Sequence, residues 1–225
     1  MKVCPALWTP CYRIIPSRFP PIDLFESVAD PGDLDVAYAL EALTNPRIRE
    51  EVGELSLVPQ AERISGPGTS TIMAAFTHLN PSGSRFSDGT FGVYYTAACL
   101  DTAIAETVFH GVRWLKETHE PAQDFDMRLL LADLKARLWD VRGPEFTQLH
   151  DPDPASYGAG QAVGRKAKSA GSDGIFYRSV RHAGGECAAI LRPKVLSAPR
   201  QSLHLIYPWD GQQIDRARIC VKTLL

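Results

Sequence analysis

The sequence predicts an α+β fold arranged as one compact domain. Its 225 residues are 44% hydrophobic and 22% charged, which are ordinary values for a globular protein with a sizeable core. Few segments have a helical pattern, whereas several short segments are rich in the β-branched and aromatic residues that favour strands. Strands and helices do not alternate regularly, and no glycine motif of a nucleotide-binding parallel sheet is present. We therefore predict a single domain over residues 1–225.

Three segments have the pattern of a helix, in which apolar residues recur every three or four positions. The first begins at Asp33, a residue type that often caps helix N-termini. The predicted helices are 33–45, with apolar Val36, Leu40 and Leu43 and a stop at Asn45-Pro46; 101 to about 117; and 159–170, which ends at Gly171.

Seven segments are predicted as strands because β-branched, aromatic and other apolar residues are concentrated between turn residues. They are 11–15, 93–96, 127–131, 138–141, 174–177, 186–191 and 203–207. The apolar segment 72–76 fits a helix or a strand.

Charge and composition argue against several classes of protein. With a net charge of -2, the chain lacks the excess of basic residues that is typical of a nucleic-acid-binding protein. Apolar runs such as 129–132 are too short to span a membrane, and Pro5 interrupts the start too early for a signal peptide, so we expect a cytoplasmic protein. The five cysteines are scattered and no histidine pair has metal-ligand spacing, which predicts reduced thiols and no metal site.

Arg85, Tyr95 and Glu106 are the first candidates for chemistry. A guanidinium matches a phosphate or carboxylate, a tyrosine ring stacks on a flat ligand, and a carboxylate stabilises positive charge developing on a sugar. Each also has a structural alternative, as a surface ion pair, a core tyrosine or a solvated helix face. The segment 171–181 is dense in glycine, hydroxyl and guanidinium groups, and its alternative is a hairpin with charged edges.

The order of these motifs resembles that of the RES-domain family. The motifs are Tyr12-Arg13, Gly83-Ser84-Arg85-Phe86, Val93-Tyr94-Tyr95-Thr96-Ala97, Ala105-Glu106 and the run from Asp173 to Ser179. The resemblance covers a core of about residues 12–191. It implies a fold like that of ADP-ribosyltransferases with NAD+ in a central cleft, and a role as the toxin of a bacterial toxin–antitoxin pair.

The resemblance also implies roles for individual residues. Arg85, Tyr95, Glu106 and Ser179 would be catalytic, and Arg13, Arg85, Tyr95 and Ser179 would bind NAD+. Arg63 competes with Arg13 as the first arginine of the cleft. Many relatives have asparagine where this chain has Ser87, so the match to the family motif is incomplete there.

The implied activity is cleavage of the bond between nicotinamide and ribose in NAD+, without a metal. Water as acceptor gives hydrolysis and phosphate gives phosphorolysis, whereas a protein side chain as acceptor makes the enzyme an ADP-ribosyltransferase toxin. A catalytically inert nucleotide- or protein-binding module is the alternative from another class. The implied partner is a small DNA-binding antitoxin of the Xre type that blocks the cleft, and we expect neither nucleic acid nor membrane as a direct partner.

Overall fold

A computed structural model describes residues 1–45 and 47–220 and shows the predicted α+β architecture. Within these residues there are seven strands and six α-helices. The strands are β1 (Val3–Pro16), β2 (Tyr94–Ala97), β3 (Gln123–Asp140), β4 (Gly174–Arg178), β5 (Glu186–Ile190), β6 (Arg200–Trp209) and β7 (Arg218–Ile219). The helices are α1 (Asp23–Ser27), α2 (Leu34–Glu41), α3 (Ile48–Val52), α4 (Ser70–Thr77), α5 (Leu100–Glu117) and α6 (Gly158–Ser169).

The strands form one sheet in the order β1-β2-β5-β4-β3-β6-β7, and β1 also pairs with β3. The strands β1, β2, β5, β4 and β3 therefore make a hydrogen-bonded ring, from which β6 and β7 extend. Among the strands of the described residues, β3 and β4 alone pair in parallel. Strand β3 joins the two predicted segments 127–131 and 138–141, because β1 pairs with it from Met127 to Trp139.

Two apolar cores lie on opposite faces of the sheet. The alternation of side chains along a strand separates them, as in β4, where Phe176 lies in the first core and Ile175 and Tyr177 in the second. The first core contains buried residues of α1 to α4, and the second contains buried residues of α5 and α6. Helix α5 and the short helices α1 to α4 therefore cover opposite faces of the sheet.

Most predicted elements are confirmed. Helix α5 begins one residue before the predicted start at Asp101 and ends at Glu117 as predicted. Helix α6 spans Gly158–Ser169, and Gly171 follows it with a positive φ of 66°. The ambiguous segment 72–76 lies in a helix, α4. The described residues form one domain, while its predicted limits at 1–225 stay a prediction because residues 221–225 lie outside the described ones.

The first predicted helix differs from expectation in its ends and in the face that it buries. It ends at Glu41 rather than at residue 45, and Pro46 lies outside the described residues. The Asp33 side chain makes no capping hydrogen bond. Helix α2 packs through Leu34, whereas the predicted apolar stripe is exposed: Val36 by 62%, Leu40 by 63% and Leu43 by 81%.

None of the helices in residues 1–45 and 47–220 is long and apolar enough to cross a membrane.

Candidate active site

The carboxylate of Glu106 and the hydroxyl of Ser179 form the centre of the candidate site. Glu106 lies on α5, and Ser179 directly follows β4. The Ser179 Oγ donates to Glu106 Oε1 at 2.6 Å, and it accepts the backbone N–H groups of Arg181 at 3.1 Å and His182 at 3.0 Å. Because three hydrogen bonds fix the hydroxyl, one carboxylate oxygen is held in place.

The second carboxylate oxygen is less constrained. Glu106 Oε2 lies 4.0 Å from His110 Nε2, one turn further along α5, and the Glu106 side chain is 20% exposed. Partial burial and repulsion from the guanidinium groups of Arg181 and Arg85 lower the pKa of His110, whose side chain is 55% exposed. A neutral His110 leaves the charge of Glu106 uncompensated at its free oxygen.

Arg85 presents a buried guanidinium. Its Nη1 donates to the carbonyl oxygens of Leu149 at 2.8 Å and Asp151 at 3.0 Å, and its guanidinium carbon lies 4.5 Å from the centre of the Tyr157 ring. Within the described chain, Arg85 has no carboxylate partner, and its Nε and Nη2 groups form no hydrogen bond. The group therefore retains donors and a full positive charge for an anionic ligand.

Tyr95 holds the turn that carries Arg85. Its hydroxyl lies 2.8 Å from Ser84 Oγ and accepts the N–H of Phe86 at 3.0 Å. Burial raises the pKa of Tyr95 to about 12, so the hydroxyl stays protonated. Ser84 and Phe86 flank Arg85, so the tyrosine hydroxyl binds the serine side chain before Arg85 and the backbone N–H after it.

Two glycines of α6 allow that turn to pack against the helix backbone. A Cβ atom at Gly160 would lie 2.3 Å from the Arg85 carbonyl oxygen, and one at Gly164 would lie 1.8 Å from the Phe86 carbonyl oxygen. Both distances are far below van der Waals contact. The position of Arg85 thus depends on the absence of side chains at these helix positions.

Gly164→Ala is therefore expected to destabilise the fold, although alanine favours a helix. Moving the Phe86 backbone should cost about 1–3 kcal/mol as overpacking does, and each kcal/mol corresponds to roughly 2–4 °C in Tm for a chain of this size. Thermal unfolding of Gly158→Ala provides the control, because no atom lies within 4 Å of a Cβ at Gly158. Equal Tm values for the two variants would contradict the close approach.

Arg181 is a second guanidinium that the predicted set of site residues omitted. Its guanidinium carbon lies 3.3 Å from the centre of the Phe109 ring on α5, and its Nη2 donates to the carbonyl oxygen of Pro152. Its Nε is buried without a hydrogen-bond partner in the described chain. In the sequence, the run Arg178-Ser179-Val180-Arg181 was the signal that could have pointed to Arg181. Residue spacing does not show that carbonyl groups of residues 149–152 bind the guanidinium groups of both Arg85 and Arg181.

Arg13 is not brought to this group of residues. Its Nη1 donates to the Tyr95 carbonyl oxygen at 2.9 Å, and its guanidinium carbon lies 4.3 Å from the centre of the Tyr94 ring. Tyr94 lies in the first core, whereas Tyr95 packs against the second. Burial lowers the pKa of Arg13. The Arg13 side chain thus projects from the sheet face opposite to the one that carries the Tyr95 side chain.

The alternative first arginine, Arg63, is part of the N-terminal packing. Its guanidinium donates to the carbonyl oxygens of Val58 at 2.9 Å and Leu55 at 3.4 Å and pairs with Asp35 at 2.7 Å. Arg63 therefore links α2 to the segment before α4, and it does not belong to the Glu106 group.

A cavity of about 420 Å³ lies along another side of α5. Thr107, Leu115, Met127 and Tyr207 contribute to its largely apolar lining, and Glu106 does not. The Thr107 and Tyr207 hydroxyls lie 2.7 Å apart. This cavity is therefore separate from the carboxylate of the candidate site.

Comparison with known proteins identifies the family of the chain. A family profile described as RES domain matches residues 60–210, a span that includes Arg85, Tyr95, Glu106 and Ser179. The chain belongs to the RES-domain family. An uncharacterized protein of Sinorhizobium fredii is 32% identical over 206 residues, which cover 91% of this chain and 84% of the relative.

RES domains are found in the toxins of toxin–antitoxin pairs, and the family is associated with enzymes that act on NAD. The matched span begins at residue 60, so it excludes Arg13 and the helices α1, α2 and α3. Its described residues contain no group of three or more His, Cys, Asp or Glu side chains that could hold a metal ion.

Proposed function

We propose that this RES domain is a toxin that consumes NAD+ by cleaving the bond between nicotinamide and ribose. The observation that carries the proposal is the fixed Glu106 carboxylate in a site where two guanidinium groups, those of Arg85 and Arg181, pair with no carboxylate among the described residues. NAD+ combines the two matching features, a pyrophosphate anion and a sugar that becomes cationic when nicotinamide leaves.

Glu106 would act on the ribose. As the C–N bond breaks, its electron pair goes to nicotinamide, which leaves as a neutral molecule, and positive charge develops on the ribose ring. A carboxylate beside that ring stabilises the charge and accepts a hydrogen bond from a ribose hydroxyl. Because Ser179 occupies Oε1, the less constrained Oε2 is the oxygen assigned to these contacts.

Arg85 and Arg181 would bind the pyrophosphate. Charge-assisted hydrogen bonds from guanidinium groups to phosphate oxygens are among the strongest in proteins. The loop carbonyls already orient Nη1 of Arg85 and Nη2 of Arg181, which lowers the entropy lost when the ligand binds.

Tyr95, Ser179 and Arg13 would act mainly through other residues. Tyr95 holds the backbone around Arg85, and Ser179 holds the Glu106 carboxylate. Arg13 binds the Tyr95 carbonyl oxygen from the other face of the sheet. We therefore assign the three as positioning residues, in place of the direct catalytic and NAD+-binding contacts that the family resemblance implies.

Nicotinamide release tests the proposal. The purified protein, incubated with NAD+, is expected to release nicotinamide, and chromatography with and without phosphate distinguishes phosphorolysis from hydrolysis. Label from radioactive NAD+ on added cellular proteins would instead identify ADP-ribosylation. Expression of the free protein should stop growth as cellular NAD+ falls.

A folded protein that changes neither NAD+ nor growth would refute the enzymatic proposal. That result would favour the non-catalytic nucleotide- or protein-binding module.

RES-domain toxins generally pair with an antitoxin. We propose a small DNA-binding antitoxin of the Xre type, with a terminal segment that covers the Glu106 site. A carboxylate or carbonyl group of that segment would bind the donors that Arg85 and Arg181 otherwise offer to phosphate.

A further inference from the structure

Helix α2 presents an apolar stripe to solvent. Val36 and Leu40 lie one turn apart, and Leu43 follows in the turn after the helix. Single exposed apolar residues are normal, but these three share one side at i, i+4 and i+7 spacing. Exposed Ala39 lies beside them. Such a stripe has the pattern by which two amphipathic helices pack together.

The opposite side of this segment is anchored firmly. Leu34 of α2 and Ile48 and Val52 of α3 are buried in the first core. The ion pair between Asp35 and Arg63 ties α2 to the chain before α4. The helix therefore cannot turn its stripe inward without losing these contacts.

The segment is also strongly acidic. Between Asp23 and Glu62 the chain has 10 carboxylates and two arginines, whereas the rest of the chain has 16 acidic and 22 basic residues. A second copy of this chain at the stripe would bring two acidic surfaces together. Charge complementarity instead favours a partner with lysine or arginine beside its apolar residues.

The stripe lies outside the span of the family match, which begins at residue 60. It also lies on the side of the first core, whereas Glu106 lies on α5 over the second core. A partner helix on α2 would therefore leave the Glu106 site to a different part of that partner.

We propose that α2 is a docking surface for a basic amphipathic helix of the antitoxin. Apolar residues of that helix would cover Val36, Leu40 and Leu43, while its basic residues would face the exposed carboxylate of Asp33 beside the stripe. The identity of the partner as the antitoxin rests on the proposed function. The chemistry of the surface rests on the stripe and its charge.

A synthetic helical peptide tests the surface directly. The probe has leucine at i, i+3, i+4 and i+7 and lysine elsewhere, and a matched peptide has glutamate in place of lysine. Fluorescence anisotropy should show that the lysine peptide binds the wild-type protein and that Leu40→Ser/Leu43→Ser weakens binding at least about tenfold, since two buried leucines are lost. Leu7→Ser is the control, because Leu7 is an exposed leucine on β1.

Equal peptide affinity for wild type and Leu40→Ser/Leu43→Ser would overturn the proposal. Equal binding of the glutamate peptide would overturn its charge argument. Sedimentation that shows a wild-type dimer and a monomeric Leu40→Ser/Leu43→Ser variant would identify a second copy as the occupant instead. Circular dichroism checks that the variant is folded.

The docking result is independent of the enzymatic one. Leu40→Ser/Leu43→Ser is expected to release nicotinamide at the wild-type rate, because neither residue belongs to the Glu106 site. If neither protein turns over NAD+, the proposed function fails while peptide binding still decides the docking surface.

Discussion

Glu106→Gln is expected to lower the rate of nicotinamide release by about 10²–10⁴-fold, the usual range for a residue that stabilises charge in the transition state. Glutamine keeps the size of the side chain and its carbonyl oxygen still accepts the hydrogen bond from Ser179. What it removes is the negative charge beside the ribose. Steady-state kinetics should therefore show a fall in kcat, while the Tm changes little.

Glu117→Gln provides the matched control on the same helix. Its side chain is 58% exposed and pairs with Arg113, so it should retain wild-type turnover. If Glu106→Gln is as active as Glu117→Gln, Glu106 does not stabilise the transition state, and another carboxylate must do so.

Arg85→Lys is expected to weaken NAD+ binding about 10–100-fold, the equivalent of one charged hydrogen bond of roughly 1.5–3 kcal/mol. An ammonium group cannot bind two backbone carbonyls and a phosphate with the geometry of a planar guanidinium. The affinity is best measured by calorimetry in a Glu106→Gln background, where NAD+ survives the titration.

Arg165→Lys is the control for the loss of a guanidinium. Arg165 is 52% exposed and pairs with Asp88, a contact that lysine reproduces. If Arg85→Lys and Arg165→Lys bind NAD+ with the same affinity, Arg85 does not bind the pyrophosphate.

Local patterns in the sequence predicted the elements that local chemistry determines. Helix α5 has an apolar periodicity along its whole length, and α6 ends where Gly171 adopts a positive φ. The apolar stripe of α2 predicted the helix but not its orientation. The residues that anchor this segment are contributed by several short helices and by Arg63, and helical spacing does not reveal such long-range packing.

The alternation of side chains along β1 explains why Arg13 does not lie with the Glu106 site. The side chains of Tyr12 and Ile14 lie with the second core, so the alternation of the strand directs Arg13 to the other face. Arg181 was missed for a related reason. Its contacts to Phe109 and Pro152 join distant parts of the chain, and residue spacing cannot predict them.

The ring of strands has a consequence for folding during synthesis on the ribosome. Glu106 is synthesised 73 residues before Ser179, and β5, which joins β2 to β4, comes later still. A nascent chain that has exposed only α5 therefore has a carboxylate without the hydroxyl that fixes it. Because domains fold as units once their strands are available, the site is complete only after Ser179 and β5 have been synthesised.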